Sequence, residues 1–195
     1  MSKKLDITEN HLLTLALFTH GYHQEYYIRE IASHLPISHG TVQTILNDLE
    51  AKQVFESSTR GKVRMFRLKK SRMAADYLNL AELYKKILFL DSAPYVAEIL
   101  QKIDAHITGC AVIFGSFAAG IPKEGSDLDL FVAGTYDQRA VEQIAARYAI
   151  EVNVVAYSRE VFERDLGTDH LLLEVMRNHV IWKDTEYFVR VVMES

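Results

Sequence analysis

Between Thr8 and His20, Leu12, Leu13, Ala16 and Leu17 recur at the spacing of one helix face, and Gly21 ends the run. Ile28, Ile31, Ala32 and Leu35 repeat the pattern as far as Pro36. Ser38 opens a third helix, about Ser38 to Lys52, whose inward stripe is Val42, Ile45, Leu46 and Leu49. That phase turns Gly40, Gln43, Thr44 and Asn47 outward. The period then changes, and Val54–Ser58 and Val63–Leu68 read as two strands around the turn Thr59-Arg60-Gly61-Lys62.

Residues 71–90 read as one long helix in which Met73, Tyr77, Leu80, Tyr84 and Ile87 alternate steps of four and three. Such a seam packs on the chain's own core or pairs two chains into a homodimer; at fewer than three heptads the core is the preferred expectation. A further helix presents Val96, Ile99, Leu100, Ile103 and Ile107, and the apolar run Cys110–Phe114 is a buried strand. Gln138–Tyr148 is a helix with Val141, Ile144, Ala145 and Tyr148 inward, and Ile150–Tyr157 is a strand. Arg159–Leu166, Asp169–Asn178 and Thr185–Met193 read as helices around the short apolar run Val180–Trp182.

Charge divides the chain unevenly. Residues 1–72 carry eleven Lys/Arg against seven Asp/Glu, net +4, while residues 73–195 carry eleven against nineteen, net −8. A basic front suits a polyanion, and an acidic back can host cations. One cysteine excludes an internal disulfide framework, and no apolar segment at the start suggests secretion or a membrane span. The expectation is a cytoplasmic protein with no membrane partner.

The most informative stretch is GSFAAGIPKEGSDLDLFV, residues 115–132. The strand ending at Phe114 breaks at Gly115-Ser116, and a second strand carries Asp127 and Asp129, whose side chains alternate onto one face with Leu128 and Leu130 behind. Two acids on one edge repel unless a cation lies between them, and magnesium held by carboxylates and substrate phosphates is the natural occupant. Gly115 lets backbone approach a ligand, and Ser116 can begin a helix whose free N–H groups face an anion.

These residues resemble the signature of the nucleotidyltransferase superfamily typified by DNA polymerase beta, and most closely its minimal members. The resemblance implies that Gly115, Ser116 and Ser126 hold a nucleoside triphosphate, expected to be ATP, and that Asp127 and Asp129 hold Mg2+ or Mn2+. A third acid on a later strand completes the family's site. At that place this chain has Asn153, with Glu151 one pleat away, and it has Ala119 where many relatives carry a basic residue. Asp127, Asp129, Glu151 and Asn153 are therefore the candidate catalytic residues. An amide can ligate a metal but cannot take a proton at neutral pH.

The front resembles the winged helix-turn-helix domains of bacterial and archaeal transcription regulators, through "YIREIASHLPISHGTVQTILNDLEAKQVFESSTRGKVRMFRL". It implies that Gln43, Thr44 and Asn47 face DNA bases and that Arg60, Lys62 and Arg64 meet phosphates. The same module also serves protein interaction.

The expected fold class is α+β: a winged helix-turn-helix at 1–70, a helical connector at 71–108 and a nucleotidyltransferase-like mixed α/β sheet at 109–195. The expected function is a DNA-tethered, Mg-dependent nucleotidyltransferase that passes a nucleotidyl group from an NTP to a hydroxyl on a protein, a nucleic acid or a small molecule. The alternative is a transcriptional regulator whose back domain senses a nucleotide or metal without chemistry.

Overall fold

A computed structural model describes residues 6–195. The fold is α+β with two sheets, and the chain divides into two compact units, one ending at Ala81 and one spanning Glu82–Ser195.

The first unit begins with α1 (Glu9–Phe18), β1 (Tyr26–Tyr27), α2 (Ile28–His34) and α3 (His39–Ala51). β2 (Phe55–Arg60) and β3 (Val63–Leu68) follow, and α4 (Arg72–Ser92) starts in this unit. Ser38 starts α3 because its hydroxyl accepts the Thr41 N–H at 3.1 Å, satisfying a donor that the first turn leaves free. As the periodicity predicts, Val42, Ile45, Leu46 and Leu49 are buried. The sheet order is β1-β3-β2, antiparallel throughout. Phe18 ties α1 to this sheet, its ring 4.5 Å from Phe55 and 5.0 Å from Tyr26.

Two expected stripes are misphased. In α1 the fully buried residues are Thr14, Leu15 and Phe18, whereas Leu12, Leu13, Ala16 and Leu17 are half-buried. That helix is apolar on almost every side, so spacing alone does not select the inward face. In α4 only Tyr77 of the seam is buried; Met73, Leu80 and Ile87 are 47%, 40% and 49% exposed. The inward side uses Ala74, Leu78, Ala81, Glu82 and Phe89 instead. Alanine packs where helices approach closely, and a count of large apolar residues overlooks it.

The second unit continues with α5 (Pro94–Ile103), β4 (Ile107–Phe114), the single turn α6 (Gly115–Ala118), β5 (Leu128–Tyr136) and α7 (Gln138–Arg147). β6 (Val152–Tyr157), α8 (Arg159–Asp165), α9 (His170–Arg177), β7 (Val180–Lys183) and α10 (Thr185–Glu194) complete it. Ile107 opens β4 rather than closing the preceding helix. The sheet order is β6-β5-β4-β7, with β4 antiparallel to both β5 and β7 and β6 parallel to β5.

Strand alternation gives this sheet two different faces. Ala111, Ile113, Leu128, Leu130 and Val132 form a core with Val96, Leu100 and Ile103 of α5 and Val141 of α7. Each valine, leucine or isoleucine among them contributes about 1.5–3 kcal/mol when fully buried. On the opposite face Phe131 meets Tyr157 at 5.6 Å and Phe162 at 5.4 Å, and Phe162 stacks on Phe188 at 5.7 Å. No described helix is long and apolar enough to cross a membrane.

Cys110 lies wholly inside this sheet, and burial pushes its thiol far above the ordinary value. A thiol reagent should therefore modify Cys110 only after denaturation. Rapid stoichiometric labelling of the folded chain would contradict this packing.

Candidate functional site

The second unit's candidate site is assembled at one end of three adjacent strands. β4 ends at Phe114, which pairs with Asp129 near the start of β5; Asp129 in turn pairs with Asn153 of β6. Asp127 lies just before β5 rather than inside it, and Glu151 lies just before β6. The register therefore sets Asp129 and Asn153 side by side, with their side chains away from the α5 core.

Asn153 meets both acids. Its Nδ2 donates to Asp129 Oδ1 at 3.3 Å and lies 3.4 Å from Asp127 Oδ2. Both carboxylates thus converge on a single point, occupied by a neutral donor. These bonds are long, and Asn153 is exposed, so a cation that offers more charge can displace the amide. Rotation of the amide by half a turn would exchange its nitrogen for its oxygen and present a third oxygen ligand. The donor set is then two carboxylates and one amide oxygen, which suits a hard cation such as magnesium that takes its other ligands from phosphate and water. Among the described residues no group of three or more His, Cys, Asp and Glu is placed to hold a metal.

Gly115 shapes the space above the acids. Its φ of +67° lies in the left-handed region, and a Cβ added there would collide with Asp129 Oδ2. Any larger residue would therefore fill the place where backbone and carboxylate face each other. Ser116 follows in α6, whose last turn is closed by the Ala119 and Gly120 N–H groups. Ser126 is engaged in its own loop: its hydroxyl accepts the Lys123 N–H at 2.8 Å, and its N–H donates to the Lys123 carbonyl at 3.0 Å. That clasp presents the residues leading into Asp127.

In the first unit Gln43 and Thr44 are exposed on α3, and the Thr44 hydroxyl donates to the Gly40 carbonyl at 3.0 Å. Asn47 and Arg64 are not independent. Arg64 Nη1 donates to Asn47 Oδ1 at 3.0 Å, Arg64 also pairs with Glu50, and its guanidinium lies 4.7 Å from the centre of the Phe66 ring. The Ser57 hydroxyl bond, followed by Arg64, holds the Glu50 carboxyl below its ordinary value. This cluster joins α3 to the β2-β3 hairpin, a coupling that no sequence spacing announces. Arg60 pairs with Glu25. Lys62, at the hairpin tip, is exposed and pairs with no carboxylate among the described residues.

No protein-family model and no curated protein matches the chain. Among solved structures, the crystal structure of AF1382 from Archaeoglobus fulgidus is 23% identical over 42% of this chain and 87% of that chain, at a TM-score of 0.34. A similarity of that size carries no weight for fold or function, which must be argued from the geometry above.

Substituting Gly115→Ala should displace the Asp129 carboxylate and lower stability by about 1–2 kcal/mol, read as a lower urea midpoint. A variant as stable as the parent, with Asp129 unmoved in its crystal structure, would contradict the close approach.

Proposed function

We propose that the second unit is a Mg- or Mn-dependent nucleotidyltransferase, with ATP as its donor and a hydroxyl as its acceptor. The observation that carries this is the convergence of Asp127 and Asp129 on one point, 3.4 Å and 3.3 Å from Asn153 Nδ2, beside the tight bend at Gly115. The four-stranded order β6-β5-β4-β7, with the acids near one strand end, supports a nucleotidyltransferase-like sheet.

In this reaction the acceptor oxygen bonds to the α-phosphorus of ATP, and the bond from that phosphorus to the bridging oxygen breaks. Pyrophosphate leaves. The acceptor proton passes to a carboxylate of the Asp127 and Asp129 pair, because the Asn153 amide cannot take it. Asp127 and Asp129 would hold the divalent ion, which supplies charge neutralisation on the phosphates and alignment for in-line displacement. The Gly115-Ser116 bend leaves room for phosphate oxygens against backbone, and Asn153 orients the two acids.

Asn153 also favours a second reading in which the site binds nucleotide or metal without transfer, since the residue beside the two acids is an amide and cannot take a proton. A labelled-ATP transfer assay with magnesium separates the two. Asp127→Asn should reduce transfer at least about a hundredfold while leaving the fold intact. Undiminished transfer in that variant would end the enzymatic proposal, and nucleotide binding by the parent without transfer would favour the sensor.

For the first unit, the proposal is a winged helix-turn-helix that binds DNA and tethers the second. Support comes from the exposed Gln43 and Thr44 on α3 and from the unpaired Lys62 at the hairpin tip. Amide and hydroxyl groups suit base edges, while a lysine with no carboxylate partner is free to meet phosphate. Lys62→Ala should weaken binding to all duplex sequences alike and reduce the slope of log K against log salt by about one. Equal affinity and slope in parent and variant would remove Lys62 from the interface.

A further inference from the structure

The two edges of the second unit's sheet are unlike. β7 is four residues long, and its Lys183 is tied to Asp104 and the Ile107 carbonyl. β6 is six residues, VNVVAY, without lysine, proline or a bulge in its pairing with β5. Sheet edges are normally blunted by such devices, because open N–H and C=O groups recruit other strands. The edge formed by β6 has none of these safeguards.

Its open groups can be identified from the ladder. The Leu128 N–H donates to the Glu151 carbonyl at 2.8 Å, and parallel pairing alternates, so Glu151, Asn153, Val155 and Tyr157 turn their backbone groups toward β5. Val152, Val154 and Ala156 turn theirs outward. The Tyr136 hydroxyl lies 3.5 Å from the Val154 carbonyl, too long to satisfy it well.

Beside this edge runs a groove of about 440 Å³ with an apolar floor from Val141, Ala145, Ile150, Val152 and Val154. Glu142 and Glu151 also line it, and among the described residues no Lys or Arg does. Two carboxylates without a cation repel a nucleic-acid backbone and attract a basic segment.

We infer that the free edge of β6 receives an extended, basic segment of another protein, which carries the acceptor hydroxyl; this acceptor role rests on the nucleotidyltransferase reading above. A strand added there pairs with the outward groups of Val152, Val154 and Ala156. Its side chains alternate, so one set drops into the groove and the other stands on the Asn153 face. The residue opposite Asn153 has its Cβ about 5 Å from that of Asn153, next to the two acids. A serine, threonine or tyrosine at that register is positioned to attack, its oxygen bonding to the α-phosphorus of ATP while pyrophosphate leaves and its proton passes to Asp127 or Asp129.

The test uses the full chain and a synthetic peptide of alternating valine and threonine with a central tyrosine and lysines at both ends. Controls are the same peptide N-methylated on alternate residues, which cannot pair, and the Val154→Pro variant, which removes one outward donor. Without nucleotide, the peptide should slow hydrogen exchange of the Val152, Val154 and Ala156 amides about tenfold or more, and the N-methylated peptide should not. Val154→Pro should weaken peptide binding about tenfold. With ATP and magnesium, the tyrosine should become labelled, and a phenylalanine version should not.

Protection without labelling would uphold strand docking and contradict the transfer reaction. Labelling without protection of these amides would uphold transfer and overturn the docking site. No protection, equal protection by the N-methylated peptide, or protection that rises with protein concentration in the absence of peptide would each overturn the proposal; the last would assign the edge to a second copy of the chain.

Discussion

Two carboxylates meet one amide at the start of β5, and the surrounding fold brings them there. Asp129 is fixed by pairing on both sides, to Phe114 of β4 and to Asn153 of β6. Asp127 is delivered by a loop clasped through Ser126 and Lys123. Behind them Leu128 and Leu130 are completely buried, so the strand cannot turn without losing core packing worth several kcal/mol. The amide of Asn153 offers the pair its only observed donor side chain among the described residues, at long range. A divalent cation placed between the two carboxylates would relieve their mutual repulsion.

The same sheet explains why chemistry gathers at one end. Its α5 face is sealed by aliphatic residues, and its other face is filled by Phe131, Phe162 and Phe188. The strand ends beside Gly115 are left accessible. There the backbone bends into the left-handed region at Gly115, next to the Asp129 carboxylate, with no side chain between them. In the first unit, Arg64 is held against Asn47, Glu50 and Phe66, so it acts chiefly to orient α3 against the hairpin. That leaves Gln43, Thr44 and Lys62 as the more accessible polar groups of the surface that the sequence singles out.

Much of this was legible from residues alone where one physical signal dominated. The α3 stripe was legible because polar and apolar positions separate cleanly, and the outward face of Asp129 because its strand alternates; Asp127, expected in the same strand, lies just before it in the loop that Ser126 clasps. The signal failed in α1, where apolar residues surround the helix, and in α4, where alanines do the packing. β1 escaped notice because two residues make no periodic pattern; pairing to Met65 and Phe66 defines them. Long-range couplings, such as Arg64 with Asn47, and the position of β6 at a sheet edge depend on topology, which local spacing does not encode.

Calorimetric titration of the full chain with ATP, in magnesium and again in excess chelator, tests the convergent carboxylates most directly. The account predicts binding in magnesium and little or none in chelator, because the triphosphate needs a cation between itself and the two acids. Equal affinity in the two conditions would contradict it.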